Sequence, residues 1–170
     1  MFGKILLGRS VRDQHHTYDH TLDPVAVPVH PSTIRLCAYW ENCRAKGGMR
    51  MGRDIPNRAI APLLRHVTVA EPVGDWDDAR LRLAGSGMAT HFGHDPSGHL
   101  MSELFASDTT HLAMLLAGAR AALAANARGV VDHKVMRNGL VAMRNELVVL
   151  PVLPPEGDEK LWALVGTFAF

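Results

Sequence analysis

The sequence predicts a single α+β domain: an antiparallel sheet of five strands, helices on one face, and an N-terminal helix and arm in front. Three observations predict it. The 170 residues have room for one domain. The chain is 47% hydrophobic and 21% charged, which suits a packed core. From Val130 onward it reads as three consecutive strands, the first two joined by Asn138-Gly139, the strongest short hairpin signal. Consecutive strands favour an antiparallel sheet over a doubly wound parallel one.

Residues 1–31 read as a loosely ordered arm, polar and rich in His15, His16, His20 and His30, with Pro24, Pro28 and Pro31. The domain is expected over residues 32–170. Ser32 suits the cap of a helix whose Leu36, Tyr39, Trp40 and Cys43 share a face, and Gly47-Gly48 stops it. A short turn at Ala61-Pro62-Leu63-Leu64 precedes a strand over His66–Glu71. Pro72–Asp75 turns into a second strand, Ala79–Ala84, with Leu81 and Leu83 on one side and Arg80 and Arg82 on the other. Gly85 ends it, and Gly85 or Gly87 is expected at positive φ where the chain enters a short helix, Met88–Phe92. Ser107 or Asp108 caps the best helix, with an apolar stripe of Leu112, Leu115, Leu116, Ala119 and Leu123 and Gly129 just past its end. The closing strands are Val130–Arg137, Leu140–Leu150 and Leu161–Phe170.

Charge and composition exclude several classes. Lys+Arg is 18 and Asp+Glu is 17, a net +1, which argues against a nucleic-acid binder that works by neutralising phosphates. Residues 1–53 carry a local +4 and residues 54–170 a local −3. Two cysteines make no disulfide framework. No stretch is long and apolar enough for a membrane span. The run at Ile5-Leu6-Leu7 is too short for a signal-peptide core, so a cytoplasmic setting is expected. No Gly-x-Ser-x-Gly elbow and no phosphate loop occurs.

Several stretches look familiar: Leu36-Cys37-Ala38-Tyr39-Trp40-Glu41, Arg53-Asp54-Ile55, and Leu150-Pro151-Val152 with Gly157-Asp158. The most specific runs from Arg80-Leu81-Arg82-Leu83-Ala84-Gly85-Ser86-Gly87 through His91-Phe92-Gly93-His94-Asp95-Pro96-Ser97-Gly98 to Glu103-Leu104-Phe105. On these the chain resembles a family of small, stand-alone bacterial PAS-like proteins, over roughly residues 32–170. The resemblance implies a PAS-like fold and a role in signal sensing or protein interaction. It supplies neither a ligand nor a reaction.

Candidate sites follow. A ligand in such a fold lies between sheet and helices, in a volume expected to be lined by Met88, Phe92, Leu112, Leu116, Met136 and Trp162, with Leu83, Leu104, Leu115 and Leu150. Arg82 and Ser86 are the expected polar contacts. The same residues equally serve a closed core. His91, His94 and His99 are closely spaced, but Gly93, Pro96 and Gly98 interrupt any shared helix. His111, at the start of the long helix, is the best single haem candidate, while His66 and His133 read as surface or edge groups. Asn42-Cys43-Arg44 echoes flavin photosensors but lies in the wrong helix. No haem, flavin or stoichiometric metal is therefore expected. The expected function is non-enzymatic sensing or interaction, with a small ligand and no output domain after the last strand. The signal is expected to pass to a separate signalling protein or through a homodimer formed by the N-terminal helix. A haem- or metal-binding sensor is the alternative, and a small α+β enzyme the third reading.

Overall fold

The structure is a computed structural model that describes residues 18–157 and 159–170. Residues 1–17 of the expected arm, with His15 and His16, lie outside the described residues, as does Asp158 of the Gly157-Asp158 motif. Among the described residues the sheet is antiparallel throughout, but it has six strands. They are β1 (Tyr18–Pro24), β2 (Val67–Val73), β3 (Asp78–Ala84), β4 (Gly129–Arg137), β5 (Leu140–Val152) and β6 (Trp162–Ala169). Their order is β1-β4-β5-β6-β2-β3.

The extra strand comes from the expected arm. β1 pairs along its length with β4, from Tyr18 against Arg137 to Pro24 against Val131. Its polar side chains hide the alternation, which sets His20, Leu22 and Pro24 on one face and Asp19 and Asp23 on the other. Proline is tolerated because β1 is an edge strand. Tyr18–Pro24 of the expected arm are thus paired into the sheet.

The helices occupy both faces of the sheet. On the outer face α1 (Pro31–Arg44) and a 3₁₀ helix (Arg58–His66) pack Leu36, Trp40, Ile60 and Leu63 against Val67, Val69, Val148, Leu150 and Leu164. On the inner face lie α2 (Ser86–Phe92), α3 (Met101–Leu104) and α4 (Thr109–Ala124). There α4 buries Leu112, Leu116, Ala119, Ala122 and Leu123 against Ala70, Leu81 and Ala163. This is the apolar stripe read from the sequence, extended by Ala122 and with Leu115 half-buried.

The caps and turns show why the elements stop where they do. His30, not Ser32, caps α1: its Nδ1 accepts from the Ser32 backbone N–H at 3.1 Å, and Pro31 takes the first helical position, where its missing N–H costs nothing. Asp108 caps α4 by accepting from the His111 N–H at 3.1 Å. The α4 exit is made by Asn126 at φ 46°, and Gly129 already belongs to β4. Asn138 and Gly139 both hold positive φ in the β4–β5 hairpin, as the dipeptide predicts.

Two local expectations are corrected. Gly85 has φ −63°, and neither it nor Gly87 is among the positive-φ glycines. The reason for them is close packing. A Cβ on Gly85 would meet the Leu64 carbonyl oxygen at 2.2 Å and the Arg65 carbonyl carbon at 2.5 Å. One on Gly87 would meet the Arg65 oxygen at 2.8 Å. In β3, Val69 faces Leu83 while the next residue, Ala70, faces Leu81, so Arg82 is the extra residue of a β-bulge. The bulge turns Leu81 to the inner face and Leu83 to the outer one.

α1 packs on its own sheet. Trp40 is 2% exposed, and its indole N–H donates to the Pro151 carbonyl at 2.7 Å. Tyr39 donates its hydroxyl to the Asp54 carbonyl at 2.9 Å. Trp40 therefore gives no reason for α1 to pair with a second chain.

Candidate functional site

A cavity of about 390 Å³ lies between the inner sheet face and α4. Its floor comes from all six strands, including Leu22 of β1, Leu81 of β3, Val131 of β4 and Val149 of β5. Leu115, Leu116 and Ala119 of α4 form the roof, with Met114 and the exposed Gly118 at the rim. Trp76, Phe105, Met88 and Met101 close the sides. No lining residue is ionisable, and beyond Trp76 the polar side chains are Thr68 and Thr167. Such a lining suits an uncharged, largely apolar guest, and three methionines adapt to irregular shapes.

Of the residues expected at the pocket, Met88, Leu115 and Leu116 line it. Leu112 and Phe92 stand behind the lining in the same apolar cluster, Phe92 edge-on to Phe105 at 5.9 Å. Trp162, Leu83 and Leu150 belong to the outer cluster under α1. Arg82 is exposed at the bulge, paired with Glu71 at 2.5 Å and lying over the Trp162 ring at 6.0 Å. Ser86 is exposed on the first turn of α2, and Met136 sits half-buried near the far end of β4, away from the lining.

Sequence reasoning missed a second feature. His20 of β1, His111 of α4 and His133 of β4 meet on the inner face, beyond Leu22 and Val131. Each has a ring nitrogen within 4.8 Å of those of the other two. Their rings stack, with centroids 4.1 Å apart for His20 and His111, 5.3 Å for His20 and His133, and 5.2 Å for His111 and His133. His111 and His133 are 1% and 0% exposed, so His133 is a core group and not an edge one. Both His111 ring nitrogens and Nδ1 of His133 have no hydrogen-bond partner. Asn145, opposite His133 on β5, is also buried with both amide atoms unpartnered.

Burial sets the charge of this cluster. Desolvation pushes His111 and His133 down to about 4, assisted by the neighbouring imidazoles. It lowers His20 too, against the pull of Asp108 and Asp19. All three rings are neutral near pH 7. The haem candidate His111 is thus one of three packed imidazoles. His91, His94 and His99 do not form such a group: His91 packs on Phe92, and His94 sits edge-on to His99 at 5.5 Å. Cys37 and Cys43 are buried free thiols of α1, with ionisation pushed up by desolvation.

The fold, the cavity beneath the long helix and the glycine-rich β3–α2 turn define an α+β module with an apolar pocket between sheet and helix. The chain belongs to the PAS domain family, whose model matches residues 29–167. β1 and His20 precede the matched stretch. No curated protein matches the chain. Family membership carries a general sensing and signalling role. Among the described residues, no helix is long and apolar enough to cross a membrane.

Proposed function

We propose that this protein is a non-enzymatic PAS sensor that takes an uncharged, mainly apolar small molecule into the cavity under α4. Occupancy is then passed to a separate signalling protein. The observation that carries the reading is the cavity itself: about 390 Å³, built on all six strands and free of ionisable lining residues. Volume and lining match small-molecule sites, whereas acid–base catalysis needs a titratable group at the reacting atom. Affinity comes from buried apolar area, and Thr68 and Thr167 orient the guest. α4 is the element that reads occupancy, since its Leu115 and Leu116 form the roof.

The test is native mass spectrometry of the freshly purified chain, followed by titration of aromatic and aliphatic metabolites against wild type and Leu116→Trp. The larger side chain fills the cavity, so a bound molecule should be lost or weakened at least tenfold. A ligand that binds both proteins equally lies elsewhere and overturns the reading.

A further inference from the structure

We propose that His20, His111 and His133 form a binding site for a late first-row divalent cation of the Zn²⁺ type. The site ties β1 and β4 to the start of α4. The inference is independent of what occupies the apolar cavity, and it reverses the sequence expectation of no metal.

Nδ1 of His20 and Nε2 of His133 lie 3.0 Å apart. Ligand nitrogens on a tetrahedral zinc ion are about 3.3 Å apart when each bond is ~2.0 Å. That pair is therefore already at coordination spacing, and an ion would replace the proton the two rings now share. His111 brings a third ring, with neither nitrogen hydrogen-bonded at 1% exposure and Nδ1 standing 3.8 Å from Asp108 Oδ2. Two orphaned nitrogens on a buried ring are costly in a closed core, and coordination relieves one of them. Binding requires His111 to rotate about its side-chain torsions, from stacking on His20 to aiming a nitrogen in-plane at the shared ion.

The groups around the rings fit the same purpose. If His20 binds through Nδ1, its Nε2–H lies on the side of Asp108, whose Oδ2 is 3.5 Å from Nε2. A carboxylate behind a ligating histidine fixes its tautomer and raises its basicity. Asp108 is itself held, since its other oxygen caps α4 at the His111 N–H. Three neutral imidazoles leave a fourth position open for water or an exogenous ligand. Asn145, unpartnered and next to His133 across the β4–β5 ladder, is placed to hydrogen-bond to that fourth ligand. Imidazole donors select zinc, cobalt, nickel or copper over the oxygen-seeking magnesium and calcium.

The experiment uses the full chain, stripped with a chelator, and titrates Zn²⁺ by calorimetry and Co²⁺ by visible absorption. The expected result is one equivalent, with the intense visible bands of four-coordinate cobalt. His111→Gln and His20→Gln should each weaken binding at least tenfold, and Asp108→Asn less. Ring-nitrogen NMR of the wild-type protein keeps the test decisive if a variant does not fold. Zn²⁺ should then move the signals of His20, His111 and His133. No binding by wild type, equal binding by His111→Gln, or shifts confined to other histidines overturns the proposal.

Discussion

His20 and His133, 113 residues apart in the chain, share a hydrogen bond of 3.0 Å between Nδ1 and Nε2. One ring must donate and the other accept, so at most one of these two nitrogens carries a proton. A proton on both would set two N–H groups against each other in a site where His133 is fully buried. This contact, and the stacking of His111 on His20, make the strand ahead of the family's matched region part of the core chemistry.

The metal-free protein should therefore lose stability on mild acidification. An unfolded histidine titrates near 6.5, whereas His111 and His133 titrate at about 4 when folded. Above pH 6.5 the rings are neutral in both states, and their full contribution is present. Between pH 6.5 and about 4 the unfolded chain takes up protons the folded one refuses, so stability falls as pH falls. Below about 4 the dependence levels off. Asp108 opposes the shift at His20 and His111, and Asp132 opposes it at His133. Each of the two rings should cost on the order of 3 kcal/mol across the window. Urea midpoints measured in chelator from pH 7.5 to 4 check this. His111→Leu should flatten the curve, and parallel curves for variant and wild type would count against it.

Gly85→Ala and Gly118→Ala should move stability in opposite directions. At Gly85 a methyl group meets the backbone of Leu64 and Arg65, and backbone cannot rotate away. A loss of about 1–3 kcal/mol is expected, the usual cost of overpacking. At Gly118 a Cβ meets nothing within 4 Å, and the position is exposed on α4. There alanine should stabilise by up to about 1 kcal/mol through helix propensity. Thermal melts of both variants decide it, and a stable Gly85→Ala protein would refute the packing account.

Features set by local preference are legible in the sequence, and those set by long-range pairing are not. β4, β5 and β6 are legible because period-two alternation and Asn138-Gly139 report local preferences, and α4 because its apolar stripe is long. The pocket residues are less legible. The bulge at Arg82 reverses strand phase between Leu81 and Leu83, and a bulge leaves no periodic mark. Burial under α1 gives Leu83, Leu150 and Trp162 the same apolar character as true lining residues. The histidine cluster is illegible by spacing, because its members come from three elements that only the sheet order brings together. One signal was present: His133 shares strand phase with Val131, which places it inward on β4.

Trp40→Ala should destabilise the monomer by about 3–5 kcal/mol. The indole is buried under α1, and its removal also leaves the Pro151 carbonyl without its donor. Trp40→Phe keeps most of the packing and loses the hydrogen bond, so it should cost roughly 1 kcal/mol. Urea unfolding at two protein concentrations tests both points. A midpoint that depends on concentration in wild type but not in Trp40→Ala would return Trp40 to a dimer interface.

Removing β1 should turn a closed edge into an adhesive one. β1 covers the free side of β4, pairing from Tyr18 to Pro24. As an edge strand it is itself poorly suited to recruit another chain, because Asp19, Asp23 and Pro24 interrupt it. β4 lacks that protection: its Val131, His133 and Val135 would lie along a newly opened edge, and the cavity floor would lose Leu22 and Pro24. A chain shortened to residues 25–170 should therefore dimerise or aggregate through β4 at concentrations where the full chain does not. Light scattering behind size exclusion reads the difference. The shortened chain should also lose the Zn²⁺ equivalent, because His20 leaves with the strand. A shortened protein that stays monomeric, melts like the full chain and still binds zinc would show that β1 is dispensable to both the fold and the site.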